Sequence, residues 1–90
     1  MAVEQGMNRP VVIEVSGQLQ QDSQQLQDIQ QNADQAVRTL GDNWFGHDAQ
    51  QYVHDWGQHS RLLHQAAELI QQMGKVAGQQ AEQQQSASQA

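Results

Sequence analysis

From Pro10 onward, apolar residues recur at alternating steps of three and four. The line runs Val12, Val15, Leu19, Asp22, Leu26, Ile29, Ala33, Ala36 and Leu40, with Asp22 its single charged member. Steps of this kind, sustained over about four heptads, predict an amphipathic helix with a coiled-coil seam. The positions between are Gln, Asp and Ser, as a solvated face requires. Pro10 suits a first helical turn, because its missing N–H is one that no helix start can bond. Gly17 weakens the early part, so the pattern places the firm start near Gln18.

Gly41-Asp42-Asn43-Trp44-Phe45-Gly46 is the cluster of helix breakers between two periodic segments. Gly41 is placed to end the first helix, and Asp42 or Asn43 suits a turn. Gly46 opens backbone conformations closed to larger residues. Asp48 puts negative charge at the start of a second helix, where the helix dipole favours it. That second segment carries Ala49, Val53, Trp56, Ser60, Leu63, Ala67, Ile70, Gly74, Ala77 and Ala81, again by threes and fours, with Tyr52, His59, Ala66 and Met73 widening the stripe.

Two helices of about 30 residues, each ~45 Å long, joined by so short a turn must fold back on one another. The fold class expected is therefore all-α, an antiparallel two-helix hairpin. Its boundaries are a flexible arm over 1–9, the hairpin over 10–80 with its turn at 41–47, and a Gln-rich flexible tail over 81–90. The residues expected at the hairpin or dimer interface are Leu19, Leu26, Ile29, Leu40, Val53, Trp56, Leu63, Ile70 and Met73.

Composition sharpens this picture in two ways. Hydrophobic residues are 37% of a 90-residue chain and Gln alone contributes 22. So small an apolar share cannot seal two isolated helices from water, and pairing of hairpins into a four-helix bundle is the expected remedy. The net charge of −6, with Arg9, Arg38, Arg61 and Lys75 as the basic residues, disfavours nucleic acid and anionic membrane surfaces as partners. With no cysteine there is neither a disulfide nor a thiolate metal site. The longest apolar run, Pro10 to Ile13, is far short of the ~20 residues of a membrane span. The N-terminus has no charged start followed by an apolar block, so any export is expected without a cleaved signal peptide.

Trp44-Phe45-Gly46 at the midpoint, with Ala49, Tyr52 and Trp56 following it, resembles the WXG family, the ESAT-like (early secreted antigen type) small proteins of type VII secretion. The resemblance covers about Val11 to Gln80. It implies a hairpin that dimerises with itself or with a related WXG-type partner, is made and paired in the cytoplasm, and is exported by a secretion ATPase of a Gram-positive or actinobacterial cell. Trp44 and Gly46 would then belong to a recognition surface. Read from the residues alone, Trp44 suits better a plug at the open end of the hairpin, with Gly46 completing the turn; the two roles are not exclusive. Family members that bear the export signal carry Tyr-x-x-x-Asp/Glu after the second helix. Here Tyr52 is the one tyrosine, and the residue four positions before Glu82 is Gly78. The chain thus looks like the partner without the signal, paired with a hairpin that carries it.

Other chemistry adds little. His47, His54, His59 and His64 are spaced by seven, five and five, whereas ligands sharing a helix face need steps of three or four. His54 and His59 point about 140° apart, so no metal and no cofactor is expected. Protonation of these histidines would affect association at mildly acidic pH. Asp55 and His59, four apart, suit a surface hydrogen bond. Asp22 either sets seam register or marks a point facing water, with Arg61 of a partner as a candidate mate. No nucleophile lies beside a base, no glycine loop suits a phosphate, and a hairpin this small offers no concave pocket, so no enzyme is expected. Two other functions fit the pattern: a cytoplasmic coiled-coil adaptor or chaperone unrelated to export, and a targeting domain detached from a larger toxin.

Overall fold

Two helices account for nearly everything in the computed structural model, which describes residues 6–89, with side chains described through residue 84. Helix α1 spans Arg9–Asn43 and α2 spans His47–Gln89. They form an antiparallel hairpin, a rod 66 Å long and 17 by 16 Å across.

Pro10 occupies the first turn of α1, and the Val12 amide donates to the Asn8 carbonyl at 3.0 Å. Helix α1 then passes through both glycines that were expected to limit it. Gly17 lies within it, and Gly41 is followed by two further helical residues. A single helical glycine costs only about 1 kcal/mol, which the tertiary contact of a long helix outweighs. Gly41 serves packing instead: a Cβ there would stand 3.1 Å from Val53 Cγ2.

The chain reverses over Trp44, Phe45 and Gly46. Trp44 is extended, and Gly46 has φ +117°, a value that residues with a Cβ rarely adopt. The Gly46 carbonyl accepts from the Gln50 amide at 3.2 Å, and Asp48 stands in the first turn of α2. Beyond the turn, α2 continues past residue 80. Where composition points to a flexible tail over 81–90, the helix runs to Gln89, and Ala81 is wholly buried. The burial of Ala81 follows from register: it lies level with the start of α1, where Arg9 Nε donates to its carbonyl at 2.8 Å. Of the expected arm over 1–9, Arg9 is helical, residues 6–8 precede the helix, and residues 1–5 lie outside the described ones.

What holds the two helices together is a ladder of small and polar residues seven apart. Ser16 Oγ donates to the Gly74 carbonyl and Ser23 Oγ to the Ala67 carbonyl, both at 2.6 Å. Gln30 Nε2 donates to Ser60 Oγ at 3.0 Å. Together with the Arg9–Ala81 pair, each rung is seven residues up α1 and seven down α2, so one register holds along the whole rod. A side-chain hydroxyl reaches the opposite backbone only if the helices approach closely, and the residues at the contact allow that. A Cβ on Gly74 would meet the Ser16 carbonyl oxygen at 3.0 Å and Leu19 Cβ at 3.1 Å, and one on Gly78 would meet Ser16 Oγ at 2.9 Å.

The α1 side of this contact therefore differs from the seam read in sequence. Val12, Leu19, Leu26 and Ala33 contribute to it, but its central line is Ser16, Ser23, Gln30 and Val37. Val15, Ile29 and Leu40, expected on the seam, are exposed. The α2 seam is as the pattern has it. Ala49, Ser60, Ala67, Gly74 and Ala81 are buried and Trp56, Leu63, Ile70 and Ala77 half-buried, with Val53 more open.

Candidate functional site

Because the helices meet along small residues, their large apolar side chains are left over. On α1 the line seven apart through Val15, Asp22, Ile29 and Ala36 lies beside the contact. On α2 the corresponding lines are Tyr52, His59, Ala66 and Met73, and Leu62, Leu69 and Val76. In antiparallel helices, positions displaced in the same rotational sense from the contact line project on the same side of the pair. Both sets therefore cover one face of the rod. Ile29 is 59% exposed, Leu62 61%, Leu69 63% and Met73 58%. The opposite face is polar, built from Gln24, Gln31, Arg38, Gln58, Arg61, Gln65, Glu68, Gln72 and Lys75, all exposed.

The total surface measures the consequence. The chain exposes 7008 Å² at 10.1 kDa, whereas a compact monomer of that mass exposes about 5,300 Å². The rod shape leaves roughly 1,700 Å² of excess, about twice what each side of a standard-size protein interface buries. Scattered exposed leucines mean nothing, but a contiguous stripe along one face is what an interaction surface looks like.

Of the interface residues expected from sequence, Leu19, Leu26, Trp56, Leu63 and Ile70 are half-buried between the helices and the apolar face. Ile29, Leu40, Val53 and Met73 stand exposed. Asp34 was missed. Its Oδ1 accepts from Trp56 Nε1 and from Ser60 Oγ, both at 2.8 Å, midway along the hairpin contact. The Ser60 bond, then the Trp56 bond, hold the Asp34 carboxyl below the ordinary aspartate range, against the opposing effect of burial, with Arg38 helping. Ser16 and Ser23 were missed as well. The available signal was the run Ser60, Ala67, Gly74, Ala81, a small residue every seventh position, which requires a close-packed neighbour.

At the turn, the Trp44 ring packs against Tyr52, centroids 5.7 Å apart and tilted by 57°. Trp44 thus stays half-exposed beside Tyr52, along a groove it shares with Gly41 and Val53 at the closed end of the hairpin. Phe45 is 83% exposed. It borders the same open groove, lined also by Gly41, Ala49, Val53, Arg38 and His54, concave relief that so small a hairpin was not expected to have. Gly46 contributes its backbone conformation, and a Cβ built on it would meet nothing within 4 Å.

The histidines do not converge. His64 Nε2 lies 2.8 Å from Glu68 on the exposed surface, and Asp55 accepts from Gln51. Among the described residues no three His, Asp or Glu side chains gather, and no helix is long and apolar enough to cross a membrane. Comparison with protein-family models, with curated proteins and with solved structures yields no match.

Proposed function

We propose that this chain is a WXG-type hairpin of a type VII (ESX-like) secretion system. It acts by laying its apolar face against a second helical hairpin, a further copy or a related one, to complete a four-helix bundle. In that role it is an exported substrate, or the escort of a co-exported partner. The observation that carries this reading is the continuous apolar face of Ile29, Leu62, Leu69 and Met73 on a rod whose other side is polar. Pairing buries that face, while Trp44 and Phe45 remain presented at the end of the rod for recognition by the secretion machinery. Binding here is burial of area along a rigid preformed surface, so little ordering cost opposes it.

The Gln-rich composition after Val76 favours one competing reading, a cytoplasmic coiled-coil adaptor that uses the same face without export. Solution mass of the chain, alone and mixed with the product of the adjacent gene, tests the docking. Expected is a complex of two hairpins that Leu69→Glu with Leu62→Glu abolishes while the helical content stays. Export is tested separately, by the chain's appearance in the medium of its native host with and without the secretion ATPase. Accumulation inside the cell in both cases leaves the adaptor.

A further inference from the structure

Resting on the reading of the apolar face as a hairpin-docking surface, we infer that it selects a partner other than a second copy of this chain. That partner is a hairpin presenting a lysine or arginine to Asp22. The argument is one of charge placement. Asp22 occupies the same line as Val15, Ile29 and Ala36, seven residues from each neighbour, and so projects from the apolar face. The register sets it level with the part of α2 that carries Ala66 and Leu69. Its Oδ1 accepts from Gln18 Nε2 at 2.8 Å, a neutral donor on the same helix. A docked hairpin removes water from this carboxylate, and a buried carboxylate needs a cation or it opposes binding.

A second copy has none to offer. Asp48 and Asp55 flank the same face, on the line of Leu62, Leu69 and Val76. Arg38, Arg61 and Lys75 all lie on the polar face, so the Arg61 of a second copy points away from Asp22. Arg9 sits at the open end of the rod, bonded to the Ala81 carbonyl. Among the described residues, then, self-pairing brings three aspartates from each copy to one interface with no lysine or arginine. It also doubles a net charge of −6. Among the described residues, His59, on the line of Tyr52 and Met73, is the one histidine of this face.

The test is sedimentation equilibrium at about pH 8, where ordinary histidines are neutral. The wild-type chain is compared with Asp22→Leu, with circular dichroism confirming that both are helical. Expected is a dimer of Asp22→Leu on the order of a hundredfold tighter than that of wild type. Two further copies serve as probes, Ile29→Lys and Ala66→Lys, covering the two ways in which hairpins stack face to face. One of them should pair with wild type and lose that pairing with Asp22→Leu. Wild type dimerising as tightly as Asp22→Leu would leave docking intact and overturn the selection by charge. So would failure of both lysine probes while Asp22→Leu dimerises. If Asp22→Leu stays monomeric and neither probe pairs, the docking reading itself falls, and the inference with it.

Discussion

Replacing Gly74 by alanine separates helix propensity from helix approach, because Gly57 supplies an internal control. Both glycines lie inside α2, where alanine is favoured by about 1 kcal/mol. At Gly57 a Cβ meets nothing within 4 Å, so Gly57→Ala should keep that whole gain. At Gly74 the new carbon stands 3.0 Å from the Ser16 carbonyl oxygen and 3.1 Å from Leu19 Cβ. The first of these is backbone and cannot swing aside. The helices must separate by a few tenths of an ångström, which strains the 2.6 Å bond from Ser16 Oγ to the Gly74 carbonyl. Overpacking costs about 1–3 kcal/mol, and a buried hydroxyl deprived of its partner a similar amount. Gly74→Ala should therefore lose about 1–2 kcal/mol net, standing roughly 2–3 kcal/mol below Gly57→Ala. For a chain of this length each kcal/mol moves Tm by about 5 °C, so the two variants should melt some 10–15 °C apart. Thermal unfolding followed by far-UV circular dichroism reads this directly, at one fixed protein concentration because any pairing adds to stability. Equal stabilisation by the two alanines would refute the close approach of the helices along the serine ladder.

Asp34→Asn should cost about 1–2 kcal/mol, since two bonds to a charged acceptor become bonds to a neutral one. The Asp34 carboxyl is held below its unfolded value, so its contribution is present above that unfolded value and fades as pH falls toward the folded one. Urea titrations at descending pH should show a shallower acid loss in Asp34→Asn than in wild type, and parallel profiles would remove Asp34 from the account. Gly46→Ala should destabilise by about 1–2 kcal/mol by forcing a Cβ residue to a φ of +117°, with no packing change. An unchanged urea midpoint would show that the turn relaxes to another conformation. Ser23→Leu should splay the helices at the Ala67 rung and lower stability more than Ser23→Ala, which loses one 2.6 Å bond and leaves the approach intact. Similar losses for the two would mean the hydroxyl, and not the spacing, matters there.

The heptad steps from Val12 to Leu40 and from Ala49 to Ala81 determined by themselves that there are two helices, and the breakers from Gly41 to Gly46 that they reverse. Both are local properties: a 3.6-residue period and a backbone that needs φ above zero can be read one segment at a time. The α2 seam was legible for the same reason. Tertiary structure decided which face of α1 meets it. The periodicity favoured Val15, Asp22 and Ile29, the larger residues, yet the contact runs through Ser16, Ser23 and Gln30. A pair of helices packed on Gly74 and Ala67 is too close for branched side chains, while serine hydroxyls reach the opposite carbonyls. Hydrophobic period reports how much apolar surface a helix must bury, and not against which neighbour. That is why Val15 and Ile29, which the period places on a seam, cover the outer face of the hairpin while Val12 and Val37 lie in its contact. Likewise the burial of Ala81 at the start of a Gln-rich stretch follows from the register, which sets it beside Arg9, and no single segment contains that information.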